Sequence, residues 1–183
     1  VYFADYDNHR IWKFAQTGAA AGQLVLVAGT GTVGYNGDQA DATQARLNNP
    51  AHLWISGNSL YIAEQSSHRI RRVTTNVTPR PLVTVAGTTS GGFSGDGDAA
   101  IVARLNQPTG VTTDSAGNLY IGDLSNHRVR EVLASSGKIE TVIGNGNAGF
   151  AGDGGSGRGA TVTASIASGG PNYLPVTVGI DVA

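Results

Sequence analysis

The strongest constraint on this chain is a repeat of about 59 residues. His9, His68 and His127 stand 59 and 59 residues apart, each preceded by "VYFAD", "LYIAE" or "LYIGD" and opening "HRIWKF", "HRIRRV" or "HRVREV". A second block follows each of them, "VAGTGTVGYNGD", "VAGTTSGGFSGDGD" and "IGNGNAGFAGDGG", with Asp38, Asp96 and Asp153 spaced 58 and 57 apart. A third block, "ATQARLNNP" and then "AIVARLNQP", erodes to "TVTASIASGGP" in its last copy. Such a period implies a supersecondary unit that cannot bury its apolar face alone, so that neighbouring units stack to make the core.

Within one unit the turn residues divide four short strands: "GVTTD", "LYIGD" after "SAGN", "HRVREVL" after "LSN" and "KIETVIG" after "SSG". Leu119 and Ile121 share one face of the second strand, with Tyr120 and the small Gly122 on the other, so neither face is plainly wet. These features predict an all-β fold, a β-propeller of four-stranded blades with three blades in this chain. The expected organisation is a single module over 1–183, with repeats at about 1–50, 51–108 and 109–175. The stretch 176–183, "VTVGIDVA", reads as a first strand completing the N-terminal blade, in cis or in trans. Propeller rings have 4 to 8 blades, so three correspond to half of a six-bladed ring or to an excerpt of one. The chain lacks methionine and begins at Val1 inside an apolar run, as a mature product or an excerpt would.

The run Asn126-His127 with Val129 (Ile11 and Ile70 in the other copies), preceded by "GVTTD" and "NLYIGD", resembles the NHL repeat. The inserts around "GFSGDG" and "ARLN" are similar to its longer, bacterial-type variety. The resemblance implies a propeller, usually of six blades, whose ring is locked by building one blade from both chain ends. Ser67 stands where the pattern has Asn, His52 where Gly110 stands in the next copy, and 155–173 follows the pattern poorly.

Recurrence also decides how the polar clusters read. A zinc site needs ligands converging within about 2.0–2.3 Å of the metal, whereas residues at one place in successive blades stay apart. Asp5, Asn8, His9, Arg10, Glu64, His68, Arg69, Asp123, Asn126, His127 and Arg128 therefore read as turn and blade supports. In this reading Asp5, Glu64 and Asp123 accept backbone hydrogen bonds in the turn, and the His and Arg side chains bridge strands or blades. "GTGTVG" and "GNGNAG" match a dinucleotide fingerprint but lead into turn formers rather than a helix, so no phosphate site is expected. The acidic loops lack the glutamate an EF-hand requires.

Twelve basic and thirteen acidic residues leave a net charge of −1, without the broad positive field that nucleic acids or anionic membranes attract. With no cysteine there is neither a disulfide framework nor a thiolate zinc site. No apolar run reaches the roughly 18 residues of a membrane span, so no membrane insertion is expected. Some NHL domains bind single-stranded RNA through a basic face, and Arg69, Arg71, Arg72 and Arg80 concentrate in the second unit, but few aromatic platforms accompany them. Enzymes among the family's relatives, lyases and lactonases, hold metals on inner strands; here only His52 is ionisable near a strand entry, and one His makes no metal site.

The expected function is thus a non-catalytic scaffold that binds proteins or glycans, with no cofactor and with His52, Arg71 and Arg72 as candidate ligand contacts. The alternative is a structural subunit that forms rings or filaments by donating its C-terminal strand; an RNA-binding propeller and a metal-dependent lyase or lactonase are further alternatives. Copies of itself are expected partners and nucleic acid is not. Asn76 opens a glycosylation sequon, "NVT", and the resemblance and the lysine-poor composition place the chain outside the cell or on its surface.

Overall fold

The computed structural model describes residues 1–149, 151–152 and 154–159. Eleven strands form three antiparallel sheets among the described residues. The first sheet holds β1 (Tyr2–Asp5), β2 (Arg10–Phe14) and β3 (Leu24–Ala28) in that order. The second holds β4 (Pro50–Ser56), β5 (Ser59–Glu64), β6 (Arg69–Thr74) and β7 (Leu82–Ala86). The third holds β8 (Pro108–Thr113), β9 (Leu119–Asp123), β10 (Arg128–Val132) and β11 (Ile139–Ile143). Pro50 and Pro108, the last residue of one predicted repeat and of the next, already open β4 and β8, where a missing N–H costs no ladder bond. The stretch 176–183, the whole of the eroded third block, Phe150 and Asp153 lie outside the described residues.

Register makes the three sheets comparable residue by residue. Asp5 pairs with Arg10, Glu64 with Arg69 and Asp123 with Arg128. At the far end Phe14 pairs with Leu24, Val73 with Leu82 and Val132 with Ile139. Among the described residues β1 is hydrogen-bonded to β2 alone, whereas β5 and β9 each lie between two strands.

The apolar core sits between sheets. Ile11, Val27 and Ala28 of the first sheet meet Leu60, Ile62, Val73 and Leu82 of the second, with Ala42, Ala45 and Leu47 of the connecting loop packed among them. Ala63, Ile70 and Ala86 meet Val111, Leu119, Ile121 and Ile139 in the same way, with Ala100, Ala103 and Leu105 between. At both junctions the earlier sheet contributes one Ile among smaller residues, and the later sheet mostly Leu, Ile and Val. Burying one such Leu or Ile contributes about 1.5–3 kcal/mol.

The turn before β2, β6 and β10 places His9, His68 and His127 at φ of 53°, 56° and 52°, a left-handed conformation in which His is enriched among non-glycine residues. A glycine is required opposite. Gly29 and Gly87 have φ of 96° and 91°, and a Cβ there would lie 2.3 and 2.2 Å from the carbonyl oxygens of His9 and His68. No helix among the described residues is long and apolar enough to cross a membrane.

Candidate binding site

The predicted support residues fall at the ends of the strands, where one unit's loop reaches onto the next sheet. His9 Nδ1 accepts the N–H of Asn49 at 3.2 Å, and His68 Nδ1 accepts that of Gln107 at 3.1 Å. Asn49 and Gln107 are themselves left-handed, at φ of 50° and 54°. Burial lowers the pKa of His68, with the Arg69 charge acting in the same direction, which favours the neutral ring that can accept this bond. His127 repeats the turn, but its buried Nδ1 has no hydrogen-bond partner among the described residues.

Glu64 and Asp123 take their backbone bond from a different place than the turn. Glu64 Oε2 accepts the N–H of Asn48 at 3.1 Å and the Ser67 hydroxyl at 2.8 Å; Asp123 Oδ1 accepts the N–H of Asn106 at 2.6 Å, and its Oδ2 the side chain of Asn126 at 2.7 Å. These backbone donors belong to the loop that enters the same sheet. Among the described residues Asp5 accepts only a side-chain bond, from Asn8 Nδ2 at 2.8 Å, and Arg10 donates to the Thr30 carbonyl at 2.9 Å.

The arginines carry the ion pairs of the site. Arg71 is fully buried, with Nη1 3.2 Å from Glu64 Oε1 and Nη2 3.3 Å from Asp38 Oδ1. Arg130 repeats this at the same depth, with Nη1 3.6 Å from Asp123 Oδ2 and Nη2 2.7 Å from Asp96 Oδ1. An aromatic ring from the same loop lies over each pair. Tyr35 sits 3.8 Å from the Arg69 guanidinium and 5.0 Å from that of Arg71, and Phe93 sits 3.7 Å from Arg128 and 4.9 Å from Arg130. Desolvation raises the pKa of Glu64, against the pull of Arg71, and pushes that of Asp123 up to about 6, against its hydrogen bonds and Arg130.

These placements correct one expectation. Arg71, read as a ligand contact, is sealed beneath Tyr35 and Asp38, because a buried guanidinium needs its carboxylates more than it needs a ligand. His52 is half-buried, its pKa lowered by that burial, and its Nδ1 accepts the N–H of Val111 on the neighbouring sheet at 3.3 Å. Arg72 lies half-buried on the opposite face of β6, and Asn76 is exposed in the β6–β7 loop. Arg130, Tyr35 and Phe93 are not among the candidates read from sequence, where Asp38 and Asp96 serve only as markers of the repeat spacing. The available signal was joint recurrence: Arg71 and Arg130 are 59 apart, while Tyr35 and Phe93, like Asp38 and Asp96, are 58 apart.

Beside the first of these lids lies an open cavity of about 230 Å³, lined by Tyr35, Asp38, Arg69, Thr84, Gly87, Thr88, Thr89 and Ile101. Asp38 Oδ1 accepts the N–H of Thr84 at 2.8 Å, its hydroxyl at 2.9 Å and Arg71 at 3.3 Å. The three donors on one oxygen fix the carboxylate. Among the described residues no group of three His, Cys, Asp or Glu side chains could hold a metal ion.

Three stacked antiparallel sheets with loops that cap the following sheet define a propeller-like repeat protein. Residues 105–131 match the model of the NHL repeat. The chain thus carries an NHL repeat, the family its sequence resembles. It is also similar to Teneurin-4 of Homo sapiens and of Mus musculus, at 36% identity over 100 residues covering 49% of this chain and 4% of each relative. Among solved structures it resembles a protein of unknown function from Bacteroides thetaiotaomicron, at 20% identity and a TM-score of 0.64, over 89% of this chain and 37% of that one. It resembles an auxiliary nutrient binding protein from Bacteroides ovatus at 21% identity and a TM-score of 0.59, over 88% and 37%. The chain therefore spans a small part of the curated relatives and just over a third of these solved chains, and the structural likenesses show the fold alone.

Proposed function

We propose that this chain is a non-catalytic binding module, three blades of an NHL propeller that together make half of a six-bladed ring, and that it takes a glycan at the Tyr35 groove. The observation that carries the reading is the groove's composition. Tyr35 is fixed by the guanidinium beneath it and still partly exposed, with a carboxylate and threonine hydroxyls alongside. A held aromatic surface beside a few convergent polar groups suits a sugar ring, which is apolar on its face and hydroxylated at its edge. The auxiliary nutrient binding protein that shares the fold supports a binding role. Of the arginines that would serve RNA, Arg71 is instead buried in ion pairs with Glu64 and Asp38, and the Asp38 carboxylate beside the groove favours a neutral ligand over an anionic one.

A glycan array followed by calorimetry on the best sugar tests this. Tyr35→Ala is expected to weaken that binding at least tenfold, and Asp38→Asn to weaken it less. Binding unchanged in both variants, or no binding to any sugar, would overturn the groove as the site. A second reading, a structural subunit completed by a strand from another copy, is favoured by the edge of β1, which pairs with no further strand among the described residues and is a template for strand addition. Filaments under the electron microscope would select it.

A further inference from the structure

The register sets three chemically distinctive side chains in one row across the second sheet. Trp54 of β4 lies opposite Tyr61 of β5, and Tyr61 opposite Arg72 of β6. Directly opposed residues project from the same face, with Cβ atoms about 4.5–5.5 Å apart. That face looks toward the third sheet: Tyr61 packs against the core it shares with Val111, Leu119 and Ile121, and Trp54 Nε1 donates to Thr113 Oγ1 at 2.9 Å. The bond holds the indole, which stays 38% exposed, while Tyr61 and Arg72 are half-buried.

Arg72 Nε is buried without a hydrogen-bond partner, and its guanidinium makes no ion pair or hydrogen bond among the described residues. Arg71 and Arg130 also leave Nε unpaired, but their Nη atoms meet carboxylates. The third sheet answers the same position differently. Its equivalent of Arg72 is Glu131, which accepts the Tyr120 hydroxyl; Asp114 lies 3.3 Å from that hydroxyl too. Tyr120 alternates with Ile121 of the shared core, so these carboxylates are held on the third sheet's opposite face and do not turn to Arg72. A buried donor without a partner calls for one from outside the chain. We propose that Arg72, Trp54 and Tyr61 form a second binding site, for a sugar that bears a carboxylate, the uronic acid residue of an acidic glycan. The guanidinium takes the carboxylate in a charge-assisted bond, and the held indole offers a flat apolar surface to the ring. The site shares no residue with the Tyr35 groove and does not depend on its ligand.

Tryptophan fluorescence of the full chain tests this, because there are two tryptophans and Trp12→Phe leaves Trp54 as the reporter. In that background trigalacturonate is expected to change the Trp54 emission saturably. Its methyl ester should bind about tenfold more weakly, the loss of one charge-assisted bond. Arg72→Gln should bring acid and ester to the same weak affinity, whereas Arg72→Lys, which keeps the charge, should retain part of the preference. Tyr35→Ala should leave the titration unaltered. If Trp12→Phe unfolds the chain, calorimetry on the unsubstituted protein makes the same comparison. No saturable change with the acid, equal affinity for acid and ester, or a preference that survives Arg72→Gln would each overturn the site. Loss of the signal in Tyr35→Ala would do so as well, by moving the acid to the groove, and acetate binding as tightly as the trisaccharide would overturn the sugar as its ligand.

Discussion

The first and second sheets place opposite chemistry at the same point. Arg71 and Trp12 occupy equivalent positions on β6 and β2, but Arg71 is sealed between Glu64 and Asp38 under Tyr35, while Trp12 is half-buried on a face that no other sheet covers among the described residues. The third sheet sides with the second, through Arg130, Asp123, Asp96 and Phe93. The difference shows that the buried arginine belongs to the junction rather than to the blade. Where a preceding loop brings an aspartate and an aromatic ring, a guanidinium can be buried; where none is present, an apolar ring holds the place.

The largest effect should come from breaking the buried pair. Arg71→Ala leaves Glu64 charged and uncompensated, a loss of about 3–5 kcal/mol that a urea melt would register. Trp12→Ala strands no charge and should cost well under that. Replacing both partners, Arg71→Met with Glu64→Leu, should recover most of the loss, since an apolar pair of similar volume is often no worse than a buried ion pair. A double variant as unstable as Arg71→Ala alone would show that the pair is needed for more than its charge balance.

The histidine turns give a smaller contrast. His68→Ala orphans the Gln107 N–H and should cost about 1–3 kcal/mol, and His9→Ala should behave alike at Asn49. His127→Ala removes a ring whose Nδ1 has no partner, and should lower the melting temperature distinctly less. Equal losses at all three positions would remove the distinction between the internal junctions and the outer face.

The smallest effect is a titration. Tyr120 and Glu131 face each other across β9 and β10, and the hydroxyl donates to Glu131 Oε1 at 2.8 Å. That bond, with desolvation and the neighbouring carboxylates, pushes the Tyr120 pKa up to about 12 from the usual 10. Because the folded value is the higher, the stability it contributes is complete below pH 10 and is lost as pH rises through 12. Ultraviolet titration should show one late component that Tyr120→Phe abolishes. The equivalent pairs are Tyr61 with Arg72 and Tyr2 with Lys13, so only the third sheet carries this acidic partner.

Much of the architecture was legible because it repeats: four strands per unit, the turns, and the His-Arg hairpin all recur at fixed spacing. Arg71 was misread for a physical reason. An arginine on a strand looks like a surface cation unless its carboxylates are found, and Asp38 is contributed by the loop of the preceding unit, 33 residues upstream. The first unit concealed the rule further by carrying Trp12. The groove was not legible at all, since Tyr35, Thr84 and Ile101 share no motif and meet only when a loop is laid over the following sheet.

That overlap has a consequence for anyone cutting the molecule apart. The stretch between β3 and β4 belongs to the first unit by chain order, yet supplies the lid of the second sheet, so the periodicity of the text and that of the solid are out of phase. A fragment trimmed to begin at Pro50 would keep all four strands of the second sheet and lose Tyr35, Asp38 and the Asn48 donor together. The smallest excisable piece is therefore a sheet with the loop before it, and modular grafts of such blades should be spliced just after Ala28 or Ala86.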